Sequence, residues 1–162
     1  FEPKEDGLMD RPPRDPKLPL LTFPLMMRTG LISLIMVIGG FWLYFYETKI
    51  GGASIDAART AVVNVIVMVE VAYLMSCRSL NHSVFYVGFF SNPLALVGAA
   101  CMIGAQLLFT YAPFMHHLFH TAPLDAGAWL RITGVALLSF VAIELEKWIR
   151  FGRHRGKSVP VE

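Results

Sequence analysis

A single carboxylate, Glu70, lies far from other charges in an otherwise apolar stretch. It is the eleventh of the 18 residues that separate Arg59 from Arg78. If that stretch crosses a membrane, Glu70 lies near mid-bilayer, where an acid costs about 2.5–3.5 kcal/mol on insertion scales. Such a group must be protonated, paired with a group from elsewhere, or bound to a cation. The position predicts an ion or proton site, with a protonated glutamate that hydrogen-bonds a neighbouring helix as the alternative.

Other polar side chains in apolar surroundings favour structural roles. Gln106 is predicted to tie two helices together through its carboxamide. Glu144 has Lys147 three residues further on, which predicts an ion pair close to the headgroups rather than an ion ligand. Glu146 and Arg150 have the i,i+4 spacing of a helical ion pair, which contributes a few tenths of a kcal/mol.

Histidines and cysteines offer only weak metal-binding patterns. His116 and His120 are four residues apart and would share one face of a helix, but no third ligand accompanies them. They are interpreted as interfacial histidines, with a metal site as the alternative. Cys77 and Cys101 lack CxxC spacing and lie in apolar stretches, which predicts packing roles for both.

Four apolar stretches must position these residues. The sequence is 55% apolar and 16% charged, whereas soluble domains carry about a quarter charged residues. A bilayer core of about 30 Å needs roughly 20 apolar helical residues to cross it. The pattern predicts an all-α integral membrane protein with transmembrane helices over about 19–46, 54–77, 93–112 and 127–149. The fourth span is the weakest, and a buried amphipathic helix is its alternative.

Basic residues are distributed unequally between the two sides that four spans create. Of the 14 Lys and Arg, three (Lys49, Arg59 and Arg131) fall on one side and the other eleven fall with the termini and the 78–92 loop. A Lys/Arg excess marks the cytoplasmic face. Both termini are therefore predicted to be cytoplasmic. The net charge of +2 and the few basic residues in the tail give no reason to expect a nucleic-acid partner.

The ends of the chain have the composition of connecting segments. Residues 1–18 are polar and proline-rich, which predicts an extended cytoplasmic loop before the membrane domain of residues 19–150. Residues 151–162 form a predicted cytoplasmic tail. The chain opens with Phe1 and not Met, which leads us to expect a piece of a longer protein. It contains no GxxxxGK[ST] loop, no DKTG sequence and no usable Ser/His/Asp arrangement, so catalysis by this segment alone is not expected.

Helix boundaries and small residues complete the prediction. Ser54 or Asp56 can cap the second helix, and Asn92 with Pro93 can begin the third. Asp125 or Gly127 opens the fourth. Small residues let membrane helices approach closely, which predicts packing contacts for two sets: Gly39 and Gly40 in the first span, and Gly98, Ala99, Ala100, Gly104 and Ala105 in the third.

Several sequence segments resemble one family of ion pumps. MDRPPR at Met9–Arg14, followed by Pro16-Lys17, resembles the loop between the sixth and seventh membrane helices of type II P-type ATPases. ARTAVVNVIVMVE at Ala58–Glu70 is similar to the eighth helix of the calcium pumps. Shorter matches follow in the family's order: NHSVF at Asn81–Phe85, TYAPFM at Thr110–Met115 and ELEKWIR at Glu144–Arg150, where Ile143 replaces the family's usual Asp.

The resemblance implies helices seven to ten of a cation-pumping ATPase, with Glu70 as an ion ligand. The eighth-helix glutamate of calcium pumps supplies a coordinating oxygen, whereas sodium pumps commonly carry an amide there. Sodium pumps also have acids in the ninth helix, where this chain has only Cys101 to Gln106. Calcium is therefore favoured as the transported ion, and Na⁺, K⁺, H⁺ and Mg²⁺ stay open.

The resemblance also assigns partners and a coupling role. The preceding helices and cytoplasmic domains of the same pump, the transported cation and the lipid bilayer are the implied partners. ATP and Mg²⁺ are implied cofactors of the full-length pump, with none in this segment. Asp10, Arg11 and Arg14, in the proline-stiffened loop, are expected to couple movement of the nucleotide domain to the membrane helices. The short loops suggest a bacterial plasma membrane protein.

Two other classes of protein stay open at this stage. The first is a small self-contained membrane protein, such as a carrier subunit or assembly factor. The MDRPPR loop and the missing start methionine argue against it. The second is a channel-like four-helix bundle with Glu70 as a selectivity residue, which would require rings of Glu70 from several copies.

Overall fold

In a computed structural model, the described residues of the chain fold into four long helices and one short one. The structure describes residues 23–78, 88 and 90–152. The helices are α1 (Phe23–Lys49), α2 (Ile55–Cys77), α3 (Pro93–Tyr111), α4 (Pro113–Phe119) and α5 (Ala126–Gly152). All except α4 are long and apolar enough to cross a membrane. This confirms the predicted all-α membrane fold, and the described residues contain no strand.

Three helices begin at the predicted capping residues. The Ser54 hydroxyl accepts a 3.1 Å hydrogen bond from the Ala57 N–H, which identifies it as the cap of α2. Asn92 caps α3 with its side-chain oxygen, and Pro93 occupies the first turn. The Asp125 carboxylate accepts a 2.7 Å hydrogen bond from the Ala128 N–H in the first turn of α5. Each cap satisfies an N–H that the helix itself leaves unpaired, which is why short polar residues mark these starts.

Two helices extend beyond their predicted ends. α1 continues to Lys49 instead of ending near residue 46, and the N–H of Gly51 closes it on the Tyr46 carbonyl at 2.8 Å. α5 continues to Gly152 instead of residue 149, and its last turn includes a 2.9 Å ion pair from Arg150 to Glu146. The predicted start of the first span at residue 19 lies outside the described residues.

The second helix forms the centre of the bundle. α2 packs against α1, α3 and α5, and α1 also packs against α5. The main core joins α1, α2 and α5 through fully buried side chains, which are Leu43, Val65, Val69, Ile132 and Ile143. α3 joins the bundle along α2 through a smaller cluster around Ala99, Val71 and Met75. The candidate residue Glu70 therefore lies on the most heavily contacted helix.

The two sets of small residues have different environments. A Cβ added to Gly39 would lie 2.7 Å from Val135 Cγ1, so this glycine does allow α1 and α5 to approach closely. In α3, Ala99 is buried, but a Cβ added to Gly98 or Gly104 would meet nothing within 4 Å. Of the α3 set, Ala99 therefore packs as predicted, whereas Gly98 and Gly104 make no close contact within the described residues, because one side of α3 faces α2.

Charged residues collect at the two ends of the bundle. The Arg28 end comprises the start of α1 and the end of α5. A 2.8 Å ion pair between Arg28 and Glu146 joins these two helices. The Glu47 end comprises the end of α1 and the start of α5, where Arg131 and Glu47 lie 2.8 Å apart. The start of the first span and the end of the last therefore lie on the same side, as an even number of spans requires.

Candidate functional site

Glu70 lies in a groove between α1 and α2 that α3 borders. The groove encloses about 510 Å³. Its lining residues are Thr29, Ile32, Ser33, Met36, Glu70, Tyr73, Leu74, Cys77 and Met102. Among the described residues, the Glu70 side chain is exposed to this groove. The cause is its position on the side of α2 that faces the groove, whose lining comes from α1, α2 and α3.

Helical spacing brings a set of polar groups to the same groove. Tyr73 and Cys77 follow Glu70 at i+3 and i+7, and both line the groove as the spacing predicts. Across from them, α1 contributes the hydroxyl groups of Thr29 and Ser33. The groove therefore combines one carboxylate, three hydroxyls and a thiol at the level between mid-membrane and the Arg28 end.

A neighbouring groove towards the Glu47 end has a different lining. It also runs between α1 and α2 and encloses about 630 Å³. Its lining is Met36, Val37, Gly40, Phe41, Tyr44, Arg59, Val62, Val63 and Ile66. Apolar side chains therefore separate Glu70 from the Glu47 end. Of the two grooves, the Glu70 groove contains the carboxylate and three hydroxyl groups that could contact an ion.

The oxygen atoms of the groove fit a hard cation but form only part of a coordination shell. A carboxylate and hydroxyls are the ligand types that Ca²⁺ and Mg²⁺ accept, and Ca²⁺ takes six to eight oxygens at about 2.3–2.6 Å. Among residues 23–78, 88 and 90–152, no cluster of three or more His, Cys, Asp or Glu could hold a metal ion. Glu70 can therefore act in a cation site only together with ligands from elsewhere.

An ion pair to α1 and a hydrogen bond to α2 tie α5 to the two walls of the groove at the Arg28 end. Arg28 Nη2 lies 2.8 Å from Glu146 Oε2, and Arg150 lies 2.9 Å from the same carboxylate, which confirms the predicted Glu146–Arg150 pair. Lys147 pairs with Glu144 at 2.9 Å, as predicted. Its Nζ also donates to the Ser76 carbonyl at 2.5 Å, and the side chain is only 2% exposed.

Sequence reasoning missed the contacts of Arg28 and Ser76. The distribution of basic residues predicts only the side of the membrane on which Arg28 lies, whereas its side chain is 4% exposed and ion-paired. Ser76 contributes through its backbone carbonyl, which no residue type could have indicated. The available signal was the concentration of Glu144, Glu146 and Lys147 within one turn of an apolar helix.

Asn64, and not Gln106, makes the polar tie between α2 and α3. The Asn64 amide donates to the Thr110 hydroxyl and to the Thr60 carbonyl, both at 2.9 Å. Gln106 Oε1 is buried and has no hydrogen-bond partner among the described residues. Thr110, one turn further along α3, therefore makes the interhelical hydrogen bond that was predicted for Gln106.

The histidine pair does not form the arrangement considered for a metal ion. His116 lies in α4, and its Nε2 donates to the Thr110 carbonyl at 2.9 Å. His120 lies just past α4 with a left-handed φ of 53°, so the two rings do not share a helical face. Cys101 is exposed, so its predicted packing role is not seen among the residues that the structure describes, whereas Cys77 lies half-buried in the Glu70 groove.

Several predicted features lie outside the described residues. These are the loop over residues 1–18 with Asp10, Arg11 and Arg14, the NHSVF segment, and the tail beyond residue 152. The coupling role of the loop stays a prediction.

Comparisons with known proteins match almost the whole chain. The family model described as "Cation transporting ATPase, C-terminus" matches residues 1–149. "Probable cation-transporting ATPase F" of Mycobacterium tuberculosis is 48% identical over 84% of the chain and 15% of its own length. "Calcium-transporting ATPase type 2C member 2" of Mus musculus is 32% identical over 93% and 16%, and "Cation-transporting ATPase pma1" of Synechocystis is 33% identical over 80% and 15%. The chain thus spans about 15% of the length of these relatives.

Proposed function

Because the chain belongs to the family of cation-transporting ATPase C-terminal domains, we propose that it is the C-terminal membrane domain of an ATP-driven cation pump. It is a multi-pass membrane domain, and its mycobacterial relative supports a bacterial plasma membrane. ATP hydrolysis, with ATP and Mg²⁺ as cofactors, is assigned to the remainder of the pump. The preceding helices and cytoplasmic domains of the same pump are the proposed partners, together with the cation and the surrounding lipid.

Glu70 is the observation that supports a direct role in transport. Its carboxylate faces an open groove at mid-membrane depth, beside hydroxyl groups of Ser33 and Thr29. No ion pair to Glu70 occurs among the described residues. A carboxylate at that depth is costly unless it has a polar partner or a cation. We assign Glu70 as one ligand of the transported cation, with the remaining ligands on helices of the preceding part of the pump.

Calcium is the proposed ion. A carboxylate and hydroxyl oxygens suit Ca²⁺, and the mouse relative is named a calcium-transporting ATPase. The mycobacterial and Synechocystis relatives are named for cations in general, so Na⁺, K⁺, H⁺ and Mg²⁺ are the alternatives to be tested beside it.

Two further assignments accompany the proposal. The Arg28 end is placed on the cytoplasmic side, because eleven of the 14 basic residues fall with it. The loop residues Asp10, Arg11 and Arg14 couple the nucleotide domain to this membrane domain. The match over residues 1–149 favours the pump over a self-contained carrier subunit, assembly factor or channel.

The test replaces Glu70 with Gln in the full-length pump. Gln keeps the size and the hydrogen-bonding capacity of the side chain but removes its charge. We expect the cation concentration for half-maximal ATP hydrolysis to rise about tenfold or more, the factor typical of a lost metal-site partner. The assay compares Ca²⁺, Mg²⁺, Na⁺, K⁺ and H⁺ (varied as pH), and a separate measurement follows ATP binding, which should not change.

The matched control is Ser33→Ala, which alters the opposite wall of the same groove without removing a charge. It should change the half-maximal concentration far less than Glu70→Gln. An unchanged cation dependence in Glu70→Gln would make Glu70 a packing residue and would remove the main support for calcium transport by this site.

A further inference from the structure

α5 holds both walls of the Glu70 groove at the Arg28 end, although it does not line the groove itself. On α1, Arg28 directly precedes the groove residue Thr29. On α2, Ser76 directly precedes the groove residue Cys77. Arg28 forms an ion pair with Glu146 of α5, and the Ser76 carbonyl accepts a hydrogen bond from the Lys147 ammonium of α5. We infer that Lys147 and Glu146 of α5 are positioning residues, which set the separation of the groove walls and thereby the cation affinity at Glu70.

The tie to α1 is a nearly buried ion pair. Arg28 contacts Glu146 Oε2 through Nε at 3.0 Å and through Nη2 at 2.8 Å. The Arg28 side chain is 4% exposed and that of Glu146 is 18% exposed, so solvent screens the pair weakly. Two N–H groups on one carboxylate oxygen also fix the direction of the contact. The start of α1 is therefore held at a defined place against α5.

The tie to α2 uses a lysine as a C-terminal cap. The last four carbonyls of a helix have no partner within the helix, and a cation there also interacts favourably with the helix dipole. Lys147 fills this role for α2 by donating to the Ser76 carbonyl. Glu144 neutralises the ammonium at 2.9 Å. A lysine with 2% exposure would otherwise be an unpaired buried charge, so the three groups act together.

Directional ties matter more here than in a soluble bundle. Lipid tails are as apolar as leucine, so burial of leucine-like side chains does little to hold membrane helices in one arrangement. Hydrogen bonds and ion pairs then decide the rotation and the axial position of each helix. Glu70 precedes Ser76 by six residues, about 9 Å at a helical rise of 1.5 Å per residue. A shift of the end of α2 would therefore move the Glu70 carboxylate relative to Thr29 and Ser33.

The inference rests on the proposed role of Glu70, and the test separates the two. In the full-length pump, Lys147→Met keeps the length of the side chain but removes its charge and its N–H donors. We expect the cation concentration for half-maximal ATP hydrolysis to rise about fivefold, within the range for residues that act through others. The maximal rate at saturating cation should change less than about twofold, since no group that contacts the cation is removed.

Arg131→Met provides the matched control. Arg131 ties α5 to α1 in the same way, through Glu47 at 2.8 Å, but at the opposite end of the bundle. Arg131→Met should reduce the thermal stability of the pump without changing the cation concentration for half-maximal ATP hydrolysis. Equal shifts in Lys147→Met and Arg131→Met would overturn the inference, because they would reflect general loosening of the bundle.

A second pair of variants covers the case in which Lys147→Met does not fold. Arg28→Met should weaken cation affinity, and Arg28→Lys, which keeps a cation beside Glu146, should restore most of it. Failure of Lys to restore the affinity would reject the ion pair as the positioning contact. If Lys147→Met has normal cation affinity and Glu70→Gln has weakened affinity, only the positioning role is rejected. If Glu70→Gln leaves the cation affinity unchanged, the proposed cation site is rejected.

Discussion

Asn64 of α2 donates its amide to the hydroxyl oxygen of Thr110 of α3 at 2.9 Å, and both side chains are fully buried. The neighbouring Thr60 hydroxyl accepts the N–H of Ala122 at 3.0 Å, so the segment before α5 joins the same polar cluster. This cluster compensates for the sparse apolar contacts of α3, which packs chiefly on α2.

The first prediction concerns this hydrogen bond. Thr110→Val should destabilise the full-length pump by about 0.6–2 kcal/mol, the range for side-chain hydrogen bonds between membrane helices. Thermal inactivation in detergent measures the change. Thr133→Val on the exposed side of α5 is the control and should be nearly neutral. Combining Thr110→Val with Asn64→Leu should cost less than the sum of the single changes, and strict additivity would show that the two side chains do not interact.

The second prediction uses two glycines of α1. Gly39→Ala would place a Cβ 2.7 Å from Val135 Cγ1, and such overpacking costs about 1–3 kcal/mol. Gly30→Ala meets nothing within 4 Å and should be neutral or gain up to about 1 kcal/mol from its helix propensity. Thermal inactivation of both variants, and of Gly39→Ala with Val135→Ala, measures the difference. Equal stability of the two single variants would contradict the close approach of α1 and α5.

The third prediction is the sidedness of the membrane domain. A cysteine at position 83 should react with a membrane-impermeant maleimide only from the cytoplasmic side, and a cysteine at His117 only from outside. His117 is exposed, whereas nearby Thr121 is buried and bonded to the Phe109 carbonyl, so Thr121 would be a poor labelling site. Labelling of position 83 from outside intact cells would show that the Arg28 end does not face the cytoplasm.

The fourth prediction concerns the loop over residues 1–18. Replacing Asp10 and Arg11 with Asn and Gln in the full-length pump should slow phosphorylation by ATP and leave cation affinity nearly unchanged. The reason is that Asp10 and Arg11 would act by transmitting movement and not by binding the cation. Rapid-quench phosphorylation and the cation dependence of ATP hydrolysis measure the two effects. Wild-type turnover of the double variant would remove the coupling role.

Local sequence patterns predicted the four spans and the caps of three helices. Each of these depends on residues close together in the chain. A run of apolar residues must cross the membrane, Asn92 caps the helix that follows it, and an i+3 or i+4 neighbour must share a helical face. For the same reason the Glu146–Arg150 and Glu144–Lys147 pairs could be predicted.

Which faces of the helices meet depends on contacts between residues far apart in the chain. Arg28 and Glu146 are 118 residues apart, and the partner of Lys147 on α2 is a backbone carbonyl, so no local pattern indicates either contact. The small residues of α3 and those of α1 look alike in the sequence, yet among the described glycines of α1 and α3 a Cβ would come closer than 3.0 Å to a neighbour only at Gly39. Helical periodicity fixes which residues share a face, whereas packing of the whole bundle selects the neighbour that each face contacts.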